Sequence, residues 1–110
     1  MKQVIAFVQP FMADRVVDAL HGIAGLSGGS VTPMRGFGRG RQRHGTQEDL
    51  LGTAPRVRID VMTTDALVDR VVQTIRDTAH TGNRGDGKVY VVPLERAVRI
   101  STGEEGDAAV

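Results

Sequence analysis

The sequence predicts an α+β fold in which two amphipathic helices cover one face of a small β-sheet. Two segments have apolar residues at helical spacing: Ala13 to Ala24, and the stretch that begins at Thr64. Short runs of strand-forming residues alternate with these segments along the chain. With 110 residues the chain is long enough for its own hydrophobic core, so we expect residues 1–110 to form a single domain.

The first half of the chain begins with a strand and a helix. Lys2 to Val8 is a compact apolar run closed by Pro10, which is typical of a buried strand. The first helix is expected to bury one face, formed by Val16, Val17, Leu20 and Ile23. Ser30 to Arg35 is predicted as a second strand. We expect it at a sheet edge or in an irregular position, because Pro33 has no amide hydrogen to donate to a neighbouring strand.

The second half repeats the order of strand, helix and strand. Apolar and polar residues alternate strictly over Arg56 to Met62, so one face of this strand should be buried. Thr64 and Gly82 are predicted to bound the second helix, whose apolar stripe is Val68, Val71, Val72, Ile75 and Ala79. Lys88 to Val92 and a short extra strand, Val98 to Ile100, follow. The order βαββαβ predicts a ferredoxin-like sandwich.

Composition and charge exclude several classes of function. No apolar run approaches the ~20 residues of a membrane-spanning helix, so we expect a cytoplasmic protein without membrane insertion. The chain has no cysteine, which excludes disulfide scaffolds, thiolate metal sites and cysteine nucleophiles. Its formal net charge of +1 does not favour general binding of nucleic acid. We expect no enzyme, because no Ser/His/Asp grouping or pair of carboxylates stands at telling positions.

A glycine-rich segment between the second helix and the next strand has the chemistry of a phosphate site. Three glycines between Gly82 and Lys88 let the backbone approach a ligand closely and turn its amide hydrogens toward an anion. A P-loop is excluded, because Val89 stands where that motif needs Ser or Thr and the flanking elements have the wrong order. A plain turn is the alternative.

A long segment from Gly36 to Ala54 has neither a helical nor a strand pattern. A loop of this length in a small domain is usually functional or disordered. Its first half is rich in cations, with Arg39, Arg41, Arg43 and His44. This cluster favours an anion or partner site, and a solvated charged loop is the alternative.

Four segments, in order along the whole chain, resemble the PII signal-transduction family. They are Gln9-Pro10-Phe11, Ser30-Val31-Thr32 leading to Arg35-Gly36-Phe37-Gly38-Arg39, Thr81 to Lys88, and Arg99 to Val110. The resemblance implies a ferredoxin-like homotrimer that binds adenine nucleotides, ATP or ADP, in clefts between subunits. It also implies a protruding T-loop, at about 36–54 here, that docks on a target protein.

The resemblance also implies which residues bind the nucleotide. The phosphates would be held by Arg99 of a neighbouring subunit and by the turn Gly85, Asp86, Gly87 and Lys88. The base of the long loop would close over the nucleotide through Gly36, Phe37, Gly38 and Arg39. The adenine base would contact Ser30 and Met62. The effector loop would use Arg41, Arg43, His44 and Arg56. No residue is assigned to a metal, and a role for magnesium is left open.

Departures from the family pattern predict an altered response to effectors. Ser101 stands where the family usually has a second phosphate-binding arginine. Gly40 stands where the family has the glutamine that binds magnesium and 2-oxoglutarate, and Arg56 replaces the lysine that pairs with this keto-acid. The loop is also shortened and has no tyrosine for uridylylation. We therefore expect a divergent member in which 2-oxoglutarate sensing is lost or altered.

Two other functions stay open at this point. One is a bicarbonate- or metal-responsive module for carbon uptake or metal efflux, which would use His44. The other is a weak nucleotide hydrolase, which would depend on Asp86 and Lys88. The sequence does not identify the target protein, for which a membrane transporter or a metabolic enzyme is the expected kind.

Overall fold

Four strands and two α-helices form the fold of this protein. The computed structural model describes residues 1–38 and 52–110. The elements are β1 (Lys2–Val8), α1 (Ala13–His21), β2 (Gly29–Gly36), β3 (Ala54–Thr63), α2 (Val68–Ala79) and β4 (Gly87–Pro93). Short 3-10 turns occupy Pro10–Met12, Asp65–Leu67 and Gly106–Ala109. The predicted α+β class and βαββαβ order are confirmed.

The strands form one antiparallel sheet with the order β2-β3-β1-β4. In the central strand β1, Val8 lies opposite Val57 of β3 on one side and Gly87 of β4 on the other. Gly36, the last residue of β2, lies opposite Ala54 at the same end of the sheet. We call this end the Val8 edge. Strand β2 lies at the side of the sheet, which confirms the position that its proline predicts.

The hydrophobic core lies between the sheet and the two helices. Alternate residues of the strands face the helices and are almost fully buried: Val4, Ala6, Val8, Ile59 and Val61. The helices contribute the predicted stripes, in which the most buried side chains are Val16, Leu20, Val71, Ile75 and Ala79. In the part of the chain that the structure describes, no helix is long and apolar enough to cross a membrane.

The ends of both helices differ from the sequence prediction. Helix α1 ends at His21, earlier than predicted, and Gly22 caps it. Ile23 lies beyond the helix yet is buried, so its apolar character extends the predicted stripe without extending the helix. Thr64 makes no side-chain capping bond, and a 3-10 turn separates it from the start of α2 at Val68.

The predicted C-terminal strand is reduced to a single isolated β-bridge between Val98 and Glu105. The chain turns back between these two residues, and the Arg99 amide donates to the Glu104 carbonyl at 2.8 Å. Ile100 is 100% exposed. Because its side chain packs against none of the residues that the structure describes, the alternation of apolar residues here does not produce a strand.

The face of the sheet turned away from the helices, which we call the open face, carries a polar and aromatic cluster. Arg58 donates two hydrogen bonds to the Asp60 carboxylate, at 2.8 and 2.9 Å, and Gln3 donates a third at 3.0 Å. The bonds from Arg58 are the main cause that lowers the pKa of Asp60. Arg58 also lies over the ring of Phe7, which meets Tyr90 edge to face.

Candidate functional site

The glycine-rich segment, residues 81–88, links α2 to β4 at the Val8 edge. Its backbone is left-handed at Gly82, Gly85 and Gly87, with φ of 87°, 88° and 115°. Such values favour glycine over any residue with a Cβ atom. The order of helix, turn and strand excludes a P-loop, as the sequence predicts. We call residues 81–88 the glycine turn.

The side chain of Asp86 stabilises the glycine turn through hydrogen bonds to residues of the turn itself. Its Oδ2 accepts hydrogen bonds from the backbone amides of Thr81 at 2.7 Å and Gly82 at 3.1 Å, and its Oδ1 accepts one from the Thr81 hydroxyl. The Thr81 hydroxyl oxygen accepts in turn from the Asn83 amide at 3.1 Å. These bonds, that of the Thr81 side chain first, lower the pKa of Asp86. His80 Nδ1 lies 3.8 Å from Asp86 Oδ2.

Two glycines attach the turn to β1. A Cβ atom at Gly87 would overlap the carbonyl oxygen of Phe7, so only glycine lets β4 begin directly against β1. The carbonyl of Gly85 accepts a hydrogen bond of 2.7 Å from Nε2 of Gln9, which directly follows β1. This role of Gln9 was not predicted from the sequence, where it stood only within a family motif.

Three cationic side chains lie at the glycine turn, and one of them, the exposed Arg84, belongs to the turn itself. Lys88 is exposed at the start of β4, opposite Phe7. Arg56 reaches the turn from β3: its Nη2 lies 3.3 Å from the Cβ position of Gly85, and its Cγ lies 3.6 Å from that of Gly36. The sequence analysis assigned Arg56 to the effector loop, and the structure places it between the end of β2 and the glycine turn.

The base of the long loop is closed by strand pairing. The loop predicted over 36–54 is bounded by two strand residues, because Gly36 ends β2 and Ala54 begins β3 as paired positions. Arg35 reinforces this junction, where its Nε donates to the Thr53 hydroxyl oxygen at 2.9 Å and its Nη2 to the Thr53 carbonyl at 3.1 Å.

Only part of the predicted loop site lies within the described residues. Phe37 is 87% exposed, and a Cβ atom at Gly38 would meet no atom within 4 Å. Neither residue is packed against the glycine turn in the single chain. The remaining loop residues of the prediction lie outside the described residues: Arg39, Arg41, Arg43 and His44.

The two residues predicted to contact adenine lie on the open face, away from the glycine turn. Met62 lies opposite Gln3, whereas the turn joins β4 opposite Val8. At about 3.3 Å per strand residue, Met62 is roughly 16 Å along β3 from Val57 at the Val8 edge. Ser30 lies opposite Asp60, between these two ends.

Arg99 follows β4, whose last residue, Pro93, lies opposite Lys2 at the end of the sheet away from the Val8 edge. Its Nη2 donates to the carbonyl of Ala108 at 3.2 Å. Within the described residues of one chain, the predicted residues therefore form separate groups, of which the structure brings together the glycine turn, Gly36 and Arg56. Among residues 1–38 and 52–110, no group of three His, Cys, Asp or Glu side chains could hold a metal ion.

We expect Asp86→Asn to loosen the glycine turn. A carboxyl whose pKa is lowered by folding stabilises the fold above its unfolded value, about 3.9, and that contribution is lost as the pH falls through the folded pKa. Hydrogen exchange measured by NMR should therefore show faster exchange of the Thr81 and Gly82 amides in the variant. In the wild type their protection should fall below about pH 4. Asp69→Asn, at an exposed position of α2, is the matched control, and unchanged protection in Asp86→Asn contradicts the assignment.

We expect Gly87→Ala to destabilise the protein by at least about 2 kcal/mol, because the new methyl group overlaps the backbone of β1 and the residue keeps a left-handed φ. Gly82→Ala is the comparison, since Gly82 has a similar φ but open space around it. It should cost roughly 1–2 kcal/mol. Urea denaturation of both variants measures the difference, and equal losses would show that the contact with Phe7 does not matter.

Comparisons with known proteins agree with this architecture. A family model described as Nitrogen regulatory protein P-II matches residues 1–104. The Nitrogen regulatory protein P-II of Azospirillum brasilense is 42% identical over 113 residues, and P-II 1 of Escherichia coli strain K12 is 41% identical; each match covers 100% of both chains. A crystal structure of Arabidopsis thaliana PII bound to citrate superposes with a TM-score of 0.82 at 34% identity, covering 99% of this chain and 91% of that one. The chain belongs to the nitrogen regulatory protein P-II family.

Proposed function

We propose that this protein is a signalling regulator that binds ATP or ADP between the subunits of a homotrimer and uses its long loop to control a partner protein. The observation that carries this proposal is the glycine turn at the Val8 edge, which combines a preorganised backbone with the cationic side chains of Arg84, Lys88 and the adjacent Arg56. Membership of a family named for nitrogen regulation supports the regulatory role. The proposed place of action is the cytoplasm, and the proposed partner is a membrane transporter or a metabolic enzyme.

The backbone of the glycine turn suits a phosphate group. Asp86 engages the amides of Thr81 and Gly82. Within the part of the chain that the structure describes, the amides of Arg84 and Gly85 have no acceptor. Amides of this kind, next to a left-handed glycine, form concave sites for anions. Lys88 adds a charge at the end of the turn, and each charged hydrogen bond contributes about 1.5–3 kcal/mol.

The separation of the predicted residues supports a site made by two subunits. Ser30 and Met62 cannot reach a ligand at the glycine turn of their own chain without spanning much of the sheet. A second copy packed on the open face could supply them. This face exposes apolar side chains suited to such packing, with Met62 39%, Tyr90 45% and Val92 39% exposed. The homotrimer is therefore part of the proposed site.

The hydrogen bonds of the Asp86 carboxylate support a regulatory role over a catalytic one. A hydrolase would need this group to orient water, but both of its oxygens accept hydrogen bonds from the turn itself. The link to regulation is Arg56, which contacts the positions of Gly36 at the loop base and Gly85 in the turn. A ligand in the turn would thus lie one side chain away from the base of the loop.

We expect ATP or ADP to raise the melting temperature, because a ligand at ~100 times its dissociation constant adds about 2.7 kcal/mol of stability. Calorimetric titration should show that Lys88→Ala weakens this binding by roughly 10- to 150-fold, the loss of one charged hydrogen bond. Arg70→Gln, which removes a charge from the exposed side of α2, should bind like the wild type.

The melting temperature is also measured with magnesium, 2-oxoglutarate or bicarbonate added to the protein. We expect 2-oxoglutarate to add no stability beyond that of the nucleotide with magnesium, because Gly40 has no side-chain ligand. The proposed function would be overturned if ATP, ADP and AMP all left the melting temperature unchanged. A shift with bicarbonate alone would favour the anion-responsive module instead.

We expect sedimentation analysis to give three times the chain mass of 11.8 kDa. Val92→Asp should shift the protein towards monomers, because it buries an unpaired charge if the open face is covered by another copy. Val92→Ala keeps the surface apolar and serves as its control. A wild-type monomer at micromolar concentration would contradict the trimer.

A further inference from the structure

We infer that Arg56 is a direct ligand of the phosphates beyond the first, so that the protein distinguishes ADP and ATP from AMP with an arginine and without needing a metal ion. This assignment deepens the proposed function and rests on it, since it requires that the glycine turn binds a nucleotide. It concerns a residue that the family resemblance assigns only to keto-acid binding and the effector loop.

The guanidinium of Arg56 is held against the glycine turn. Its Nη1 donates to the carbonyl of Pro55 at 2.7 Å, and its Nη2 lies 3.3 Å from the Cβ position of Gly85. The nearby carbonyl of Gly85 is already bonded to Gln9 at 2.7 Å. A guanidinium has five N–H donors, so Arg56 keeps several for a ligand at this place.

The charge of Arg56 has no acidic partner within the described residues, whereas that of Arg58 has one. Both side chains stand on the same face of β3, two residues apart. Arg58 forms a two-bond ion pair with Asp60 at 2.8 and 2.9 Å, which neutralises it. No carboxylate in residues 1–38 and 52–110 lies within 4.0 Å of Arg56. Among the described residues, β3 thus presents one guanidinium that is paired with a carboxylate and one that is not, and the second, Arg56, lies against the turn.

The position of this charge indicates a polyphosphate and not a single phosphate. Arg56 approaches the turn at Gly85 from the side of the loop base, while Lys88 stands where the turn joins β4. An anion that contacts both cations must extend along the turn. A diphosphate or triphosphate has this length, and a planar guanidinium binds phosphate oxygens through two parallel hydrogen bonds.

Calorimetric titration of the full chain with ATP, ADP and AMP, in buffer with EDTA and again with magnesium, tests the assignment. We expect Arg56→Gln to weaken ADP and ATP binding in EDTA by roughly 10- to 100-fold and AMP binding by less than about threefold. Arg56→Lys keeps the charge but not the two-bond geometry, so its affinities for ADP and ATP should lie between those of the wild type and of Arg56→Gln. Arg70→Gln, the matched loss of a distant arginine, should leave all three affinities unchanged.

Each alternative outcome has its own signature. Equal losses for AMP, ADP and ATP in Arg56→Gln, or no loss for any of them, would overturn the role of Arg56 while leaving the nucleotide site intact. A wild type that binds none of the three would overturn the proposed function and this assignment together. Thermal unfolding of each variant without ligand shows whether it is folded, and Arg56→Lys, the smaller change, provides the decisive comparison if Arg56→Gln is unstable.

Discussion

The antiparallel pairing of β1 with both of its neighbours is the constraint on which the rest of the structure depends. Val8 lies between Val57 and Gly87, so β3 and β4 both begin at the place where β1 ends. Residues that are far apart in the sequence meet there, and Arg56 comes to rest against Gly85. The register of one central strand thereby determines which charges face the glycine turn and where the long loop leaves the sheet.

Most of the fold could be predicted from the sequence because each long element has a clear period. The alternation in β3 and the stripe of α2 correspond to the buried faces of the structure. The sequence prediction fails where an apolar pattern continues although the helix has ended or no strand forms. Ile23 is buried beyond the end of its helix, whereas Ile100 alternates with Val98 but is fully exposed. Periodicity reports the spacing of apolar residues, and it contains no information about what lies opposite them.

The candidate site was less predictable, because its contacts depend on register. The glycines and Lys88 are visible as a motif, but the hydrogen bond from Gln9 to Gly85 and the approach of Arg56 require the order of strands to be known. The role of Asp86 also depends on geometry. The sequence shows an acidic residue in a glycine-rich turn, and only the structure shows that its carboxylate accepts hydrogen bonds from Thr81 and Gly82.

Gly87 and Lys88 are adjacent in the sequence, but the packing of the fold constrains Gly87 and does not constrain Lys88. Gly87 is needed by the contact of β4 with the backbone of Phe7, whether or not a ligand is present. Lys88 is exposed, and the packing of the fold does not require a cation there. A homologue under no selection for nucleotide binding would be free to replace Lys88 and would still have to keep Gly87. Across relatives, we therefore expect the glycine to be a marker of the fold and the cations around it to be a marker of the proposed ligand.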